Sequence, residues 1–205
     1  MHIAILTFQG FNELDSFIAL GVLNRVKKPD WRVTVCCPEP EVTSMNGVTV
    51  RAQSSLEDAR AADAVIVGSG ILTRTIADTP ALTSRLVLDP ARQLIAAQCS
   101  GTLLLAKLGL LGDLPACTDL TTKPWVQEAG VEVLNQPFFA RGNIATAGGC
   151  LSSSYLAGWI IARSEGLEAA ASALHWVAPV GEKEAFVNNA LANIVPHLPA
   201  QVRAA

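Results

Sequence analysis

The residues best suited to chemistry stand in one short stretch, Ala97-Gln98-Cys99-Ser100-Gly101. An apolar run over residues 94–97 stops there, and a helical pattern begins at once. A sharp strand-to-helix turn that presents a nucleophile tolerates only small residues two positions to either side, the logic behind the G-x-S-x-G signature of serine hydrolases. Ala97 and Gly101 meet that demand around a cysteine. A helix opening at Ser100 would aim free N–H groups and its positive dipole end at the sulfur, which lowers a thiol's pKa. Together with Ser69 and Gly70 of the Gly68-Ser69-Gly70 turn, the Ser100 N–H would stabilise a developing anion. A free cysteine is also among the most buried residue types and can be plain core. The joint position and the small flanks favour a reactive thiol.

The other cysteines read differently. Cys36 and Cys37 are adjacent in a strand-like run, so they point to opposite faces and serve as buried filler. Cys117 reads as core. Cys150 follows Gly148-Gly149 and precedes a helical stretch, which makes it a possible resolving thiol. Five cysteines without framework spacing fit a reduced, cytoplasmic setting. None pairs with a nearby histidine at zinc-ligand spacing, so no metal is expected. The Gly68-Ser69-Gly70 turn is too short for a dinucleotide fingerprint, and no cofactor is expected either.

The elements that must position these groups follow from periodicity. Residues 3–8, 31–37, 62–70 and 92–98 are short apolar or β-branched runs, read as strands buried on both faces. Residues 13–26, 73–89, 100–108 and 151–163 carry helical patterning, with a weaker helix near 123–129 and further helix towards the C-terminus. Pro80 is placed near a helix start, and Asn46-Gly47 marks a hairpin. Short extended runs are expected at 115–120, 131–134 and 142–148, and the tail after about 199 is expected to fray. Alternation of strand and helix predicts a single α/β domain over 1–205, flavodoxin-like and doubly wound, with a mostly parallel sheet and helices on both faces. Ligands bind such sheets beyond the strand carboxyl ends. The turns 9–15, 68–70 and 98–101 should crowd one rim there.

Composition narrows the partners. Of 205 residues half are hydrophobic and only 16% charged, and the formal net charge of -3 comes without a basic cluster. No nucleic-acid partner is expected on that basis. Apolar runs are short and interrupted, so neither a membrane span nor a signal peptide is expected.

The stretches ILTFQGFNELDSF (5–17), ADAVIVGSG (62–70), AQCSGTLLLAKLGLL (97–111), GNIATAGG (142–149) and LHWVAPVG (174–181) resemble the ThiJ/PfpI superfamily, nearest in look to its isonitrile hydratase branch. The resemblance implies a glutamine amidotransferase-like fold and a homodimer. It implies that Cys99 is the nucleophile and Asp15 the acid that hydrogen-bonds the sulfur, with Glu13 as fallback. Without it, Asp15 reads as a first-turn acid favoured by its helix dipole. Many members carry histidine directly after the nucleophile, where this chain has Ser100, and others carry it where Asp119 stands. A Cys-His peptidase is therefore not expected. His2 and His197 read as terminal surface residues. His175, Asp119 and Gln98 are candidates for the substrate pocket, while Trp125 reads as core or dimer contact.

The leading expectation is a lyase or hydrolase that uses Cys99 on a small electrophilic carbon, as an isonitrile hydratase does in making N-substituted formamides. The alternative is a redox or stress sensor acting through oxidation of the same cysteine. Effector binding without catalysis is a third reading; a helix-turn-helix extension beside this domain is not expected.

Overall fold

A computed structural model describes residues 1–203. The chain runs through β1 (His2–Leu6), α1 (Glu13–Leu23), β2 (Arg32–Cys37), β3 (Glu41–Thr43), β4 (Thr49–Arg51) and β5 (Ser54–Ser55). Next come β6 (Ala64–Val67), α2 (Thr73–Ala77), α3 (Pro80–Thr83), β7 (Leu94–Gln98), α4 (Gly101–Lys107) and α5 (Lys123–Glu128). The last part holds β8 (Phe138–Arg141), β9 (Ile144–Ala147), α6 (Ser153–Glu165), α7 (Leu167–Val177), α8 (Lys183–Ile194) and α9 (Ala200–Arg203).

Seven strands form one sheet in the order β5-β2-β1-β6-β7-β9-β8. Every pairing in it is parallel except β8 with β9. Side chains alternate across the sheet, as strand geometry requires. Ile3 and Ile5 join a core with α1, α6, α7 and α8, whereas Ala4 and Leu6 face Leu103, Leu104, Leu105 and Val126 on the other side. Burying each of those leucines contributes about 1.5–3 kcal/mol. Both faces are thus covered, which is why the strands are apolar throughout instead of alternating with polar residues.

The chain leaves β1 in one direction to reach β2 and in the other to reach β6. The β1/β6 junction is therefore the topological switch point, where a crevice opens beyond the carboxyl ends. Asn12 caps α1, its Oδ1 accepting from the Leu14 N–H at 3.1 Å. Pro80 opens α3, and Asn46-Gly47 lies in the loop of the β3/β4 hairpin, with Gly47 at φ 89°.

Several local expectations change. Residues 115–120 and 131–134 make no strand; they meet only in a single bridge, Ala116 to Val133. β7 pairs with β6 and β9 on its two sides, so neither run joins the sheet beside the elbow strand. The strand β8, not foreseen, arises as the antiparallel partner of β9. Helical structure over 73–89 ends at Thr83. Of the tail after 199, Ala200–Arg203 is helical, and residues 204 and 205 lie outside the described residues. His2 and His197 are not free surface groups: His2 Nε2 meets Thr34 Oγ1 at 2.7 Å, and His197 Nδ1 meets the Ala140 carbonyl at 2.9 Å. Among the described residues no helix is long and apolar enough to cross a membrane.

Candidate active site

Cys99 sits on the predicted elbow between β7 and α4 with φ 45°, the one non-glycine residue at positive φ among those described. Such a conformation costs roughly 1–3 kcal/mol and persists only where the surroundings over-determine it. Here they do. The Cys99 N–H donates to the Ala147 carbonyl at 2.8 Å, and its own carbonyl accepts from Thr118 Oγ1 at 2.7 Å and the Thr102 N–H at 3.1 Å. Gly101 lies so close to the end of β6 that an added Cβ would meet the Gly68 carbonyl oxygen at 2.8 Å and the Val67 oxygen closer still. The small flank demanded by the elbow is thus a backbone contact.

Asp15 enters from the first turn of α1, across the switch point. Its carboxylate oxygen, the Cys99 sulfur and the Cys150 sulfur all lie within 4.8 Å of one another. Asp15 is fully buried; Oδ2 accepts from Ser69 Oγ, while Oδ1 has no hydrogen-bond partner among the described residues. Ser153 Oγ holds the Asp15 carbonyl at 2.9 Å, tying α1 to α6 behind the site. Glu13, the fallback acid, points elsewhere and accepts from Ser44 Oγ and from Asn46 Nδ2 at 2.9 Å, pinning the hairpin loop.

Above the sulfur is a cavity of about 390 Å³. Its walls include Ser69, Gly70, Cys99, Ser100, Asp119 and Cys150, all singled out from sequence. They also include Asn12, Met45, Ile71, Thr121, Thr122 and Trp125. Met45 and Ile71 carried no sequence signal for this role. Asn12 was not singled out either, although it caps α1 just before the acidic first turn that carries Asp15. Trp125 packs against the core that holds Leu103 and Val126, as read from sequence, and is also part of the cavity wall, with the Arg74 guanidinium 5.1 Å from its ring centroid. Asp119 Oδ1 accepts from the Thr121 and Thr122 N–H groups, both at 2.9 Å, which fixes its carboxylate at the wall.

Four expectations need correction. Burial, and then the charge of the neighbouring Asp15 carboxyl, push the Cys99 thiol far above its ordinary range rather than below it. The helix behind the elbow spans only seven residues, and Cys99 is 5% exposed, so desolvation outweighs any dipole effect. The Gly70 N–H is not a free donor, because it is taken by Ser100 Oγ at 3.1 Å; the Ser69 and Ser100 N–H groups have no acceptor among the described residues. Gln98 does not line the cavity. It is fully buried, and its Nε2 donates to the Cys99 sulfur at 3.3 Å and to the Gly149 carbonyl at 2.9 Å. His175 is absent from the cavity wall and stands on the exposed face of α7, with Nε2 3.6 Å from a Glu184 carboxylate oxygen.

The arrangement places a nucleophilic sulfur and two backbone donors on one cavity, with a buried carboxyl group against the sulfur. Among the described residues no histidine, lysine or arginine lines that cavity.

Comparison with known proteins agrees with this geometry. Drosophila melanogaster DJ-1beta superposes with a TM-score of 0.74 at 21% identity, covering 86% of this chain and 96% of that one. Schizosaccharomyces pombe DJ-1 gives 0.63 at 18% identity, over 94% and 99% of the two chains. A protein described as an AraC family transcriptional regulator from Pseudomonas putida gives 0.70 at 16% identity, over 86% and 99%. At these identities the likeness is one of fold. No functionally curated protein matches in sequence. The family match is direct, however: residues 1–163 fit the DJ-1/PfpI family, and a chain matched over that span, with its elbow cysteine and buried acid in place, belongs to the DJ-1/PfpI family.

Proposed function

We propose that the protein is a cysteine-nucleophile enzyme that hydrates or hydrolyses a small electrophilic carbon, by preference an isonitrile. The observation that supports this most is the Cys99–Asp15 pair facing a cavity with unengaged N–H groups from Ser69 and Ser100. A raised thiol suits the reaction, because α-addition to an isonitrile delivers sulfur and a proton to the same carbon. In the first step the S–C bond forms, and the proton held between Cys99 and Asp15 passes to that carbon, leaving a thioimidate. Water then adds to the thioimidate carbon, the C–S bond breaks, the nitrogen takes a proton, and the thiol regains its own. The balance is isonitrile plus water to N-substituted formamide, with no redox change. Developing negative charge is met by the Ser69 and Ser100 N–H groups.

The wall chemistry supports a neutral or cationic substrate with an apolar group. Met45, Ile71 and Trp125 supply apolar surface, and the Asp119 carboxylate at the wall, without a facing cation, disfavours anions. The proposal includes a cytoplasmic homodimer acting on a small molecule, with no metal and no cofactor; sedimentation would test the dimer. The test of activity is formamide production from aryl and alkyl isonitriles by the protein beside Cys99→Ala. Product above the variant's background is expected, and its absence removes the hydratase reading. Redox sensing through Cys99 is the second reading, favoured by the proximity of the Cys150 sulfur.

A further inference from the structure

We infer that Cys150 is a resolving thiol for Cys99: once Cys99 is oxidised by a peroxide, the two sulfurs close a reversible disulfide that caps the nucleophile. The inference rests on the reading of Cys99 as the reactive thiol and goes beyond it in giving Cys150 a role.

The two sulfurs come from distant parts of the chain and meet on one cavity wall. Cys99 stands on the elbow after β7, and Cys150 follows β9, the parallel neighbour of β7. Both line the cavity, and their sulfurs lie within 4.8 Å. A disulfide needs about 2 Å between sulfurs, so the gap left is of side-chain dimensions. The remaining free cysteines, Cys36, Cys37 and Cys117, are buried and absent from the cavity wall.

The polar surroundings of Cys150 also fit an attacking sulfur. Asn12 Nδ2 donates to Cys150 Sγ at 3.3 Å, which offsets part of the rise that burial and the Asp15 carboxyl impose on its thiol, and Cys150 is less buried than Cys99. Gln98 links the two sides, donating to the Cys99 sulfur and to the carbonyl of Gly149, the residue before Cys150. The buried Asp15 carboxyl, with one oxygen unpartnered, lies against both sulfurs and can take either proton.

The chemistry balances in two steps. Sulfur of Cys99 attacks one peroxide oxygen, the O–O bond breaks, and the thiol proton leaves with the departing oxygen as water or alcohol. Cys99 is thereby oxidised by two electrons to sulfenic acid, and the peroxide is reduced. Sulfur of Cys150 then attacks the Cys99 sulfur, the S–O bond breaks, and water departs with the Cys150 proton. A small-molecule thiol reverses the disulfide by exchange. The consequence is protection: a sulfenic acid captured this way does not advance to the irreversible sulfinic acid.

The test uses the full-length protein under mild hydrogen peroxide, followed by alkylation, intact mass and peptide mapping. The expected result is loss of two hydrogen masses, with Cys99 and Cys150 both refractory to alkylation and joined in one peptide pair, all reversed by dithiothreitol. In Cys150→Ser the expected product is instead Cys99 carrying two added oxygens. Wild-type protein that accumulates sulfinic Cys99 while Cys150 stays alkylatable overturns the pairing but leaves the nucleophile standing. Failure of Cys99 to react with either peroxide or alkylating agent overturns both. Because the first readout is made on the unaltered chain, folding of the variant does not decide the outcome.

Discussion

At the scale of single residues, the pairing of Cys99 with Asp15 makes the two ends of the mechanism respond in opposite directions. The carboxyl raises the thiol, second only to burial. Replacing Asp15 by Asn removes that charge, so the thiol falls towards its ordinary range and a larger fraction is thiolate at pH 8. Alkylation of Cys99 by iodoacetamide should therefore speed up in Asp15→Asn, whereas isonitrile turnover, which needs the shared proton, should fall by about 100-fold or more. A parallel loss of both rates would show that Asp15 merely supports the fold. Cys99 was legible in sequence because an elbow requires small flanks, and those are local. Its raised pKa was not legible, since burial and the Asp15 charge are created by packing of β1, β6 and β7. Gln98 and Cys150 owe their places to contacts across 51 residues or more.

At the scale of elements, the elbow is held by two compressions with separable costs. Cys99 is at φ 45°, where glycine is at ease and other residues are strained. Cys99→Gly should therefore be more stable than Cys99→Ala by about 1 kcal/mol, although both lack the nucleophile. Gly101→Ala would press a methyl group onto the carbonyl oxygens closing β6, and a cost of about 1–3 kcal/mol is expected together with a displaced sulfur. Urea midpoints of the three variants check both expectations, and equal stability of the two Cys99 variants would deny the strain. Period-2 and period-3.6 patterns located the major strands and helices well, because those elements bury whole faces. They misread residues 115–120 and 131–134 as strands, since local apolarity cannot show that these runs meet each other in one isolated bridge and find no partner in the seven-stranded sheet.

At the scale of the whole molecule, the alternation of strand and helix was enough to place the switch point, because parallel strands need crossovers and crossovers cover both faces. The same burial sets the protein's response to alkali. Cys36, Cys37, Cys99, Cys117 and Cys150 all have thiols raised by desolvation first of all. Cys37 is pushed up to about 11 and Cys117 to about 12, from an ordinary value of 9.0. The unfolded chain therefore loses these protons before the folded one does. Their stabilising contribution is whole below pH 9 and is lost as the pH rises through about 11 for Cys37 and about 12 for Cys117. By pH 10 the loss should be about 1 kcal/mol for each fully buried thiol. Denaturant unfolding at pH 8 and pH 10, under reducing conditions, should show the fall. Cys117→Ala, whose side chain cannot ionise, should reduce the difference between the two pH values by about one thiol's share even though the variant is less stable at both. An unchanged difference would mean that the Cys117 thiol is not shielded from water as its full burial beside α4 and β9 requires.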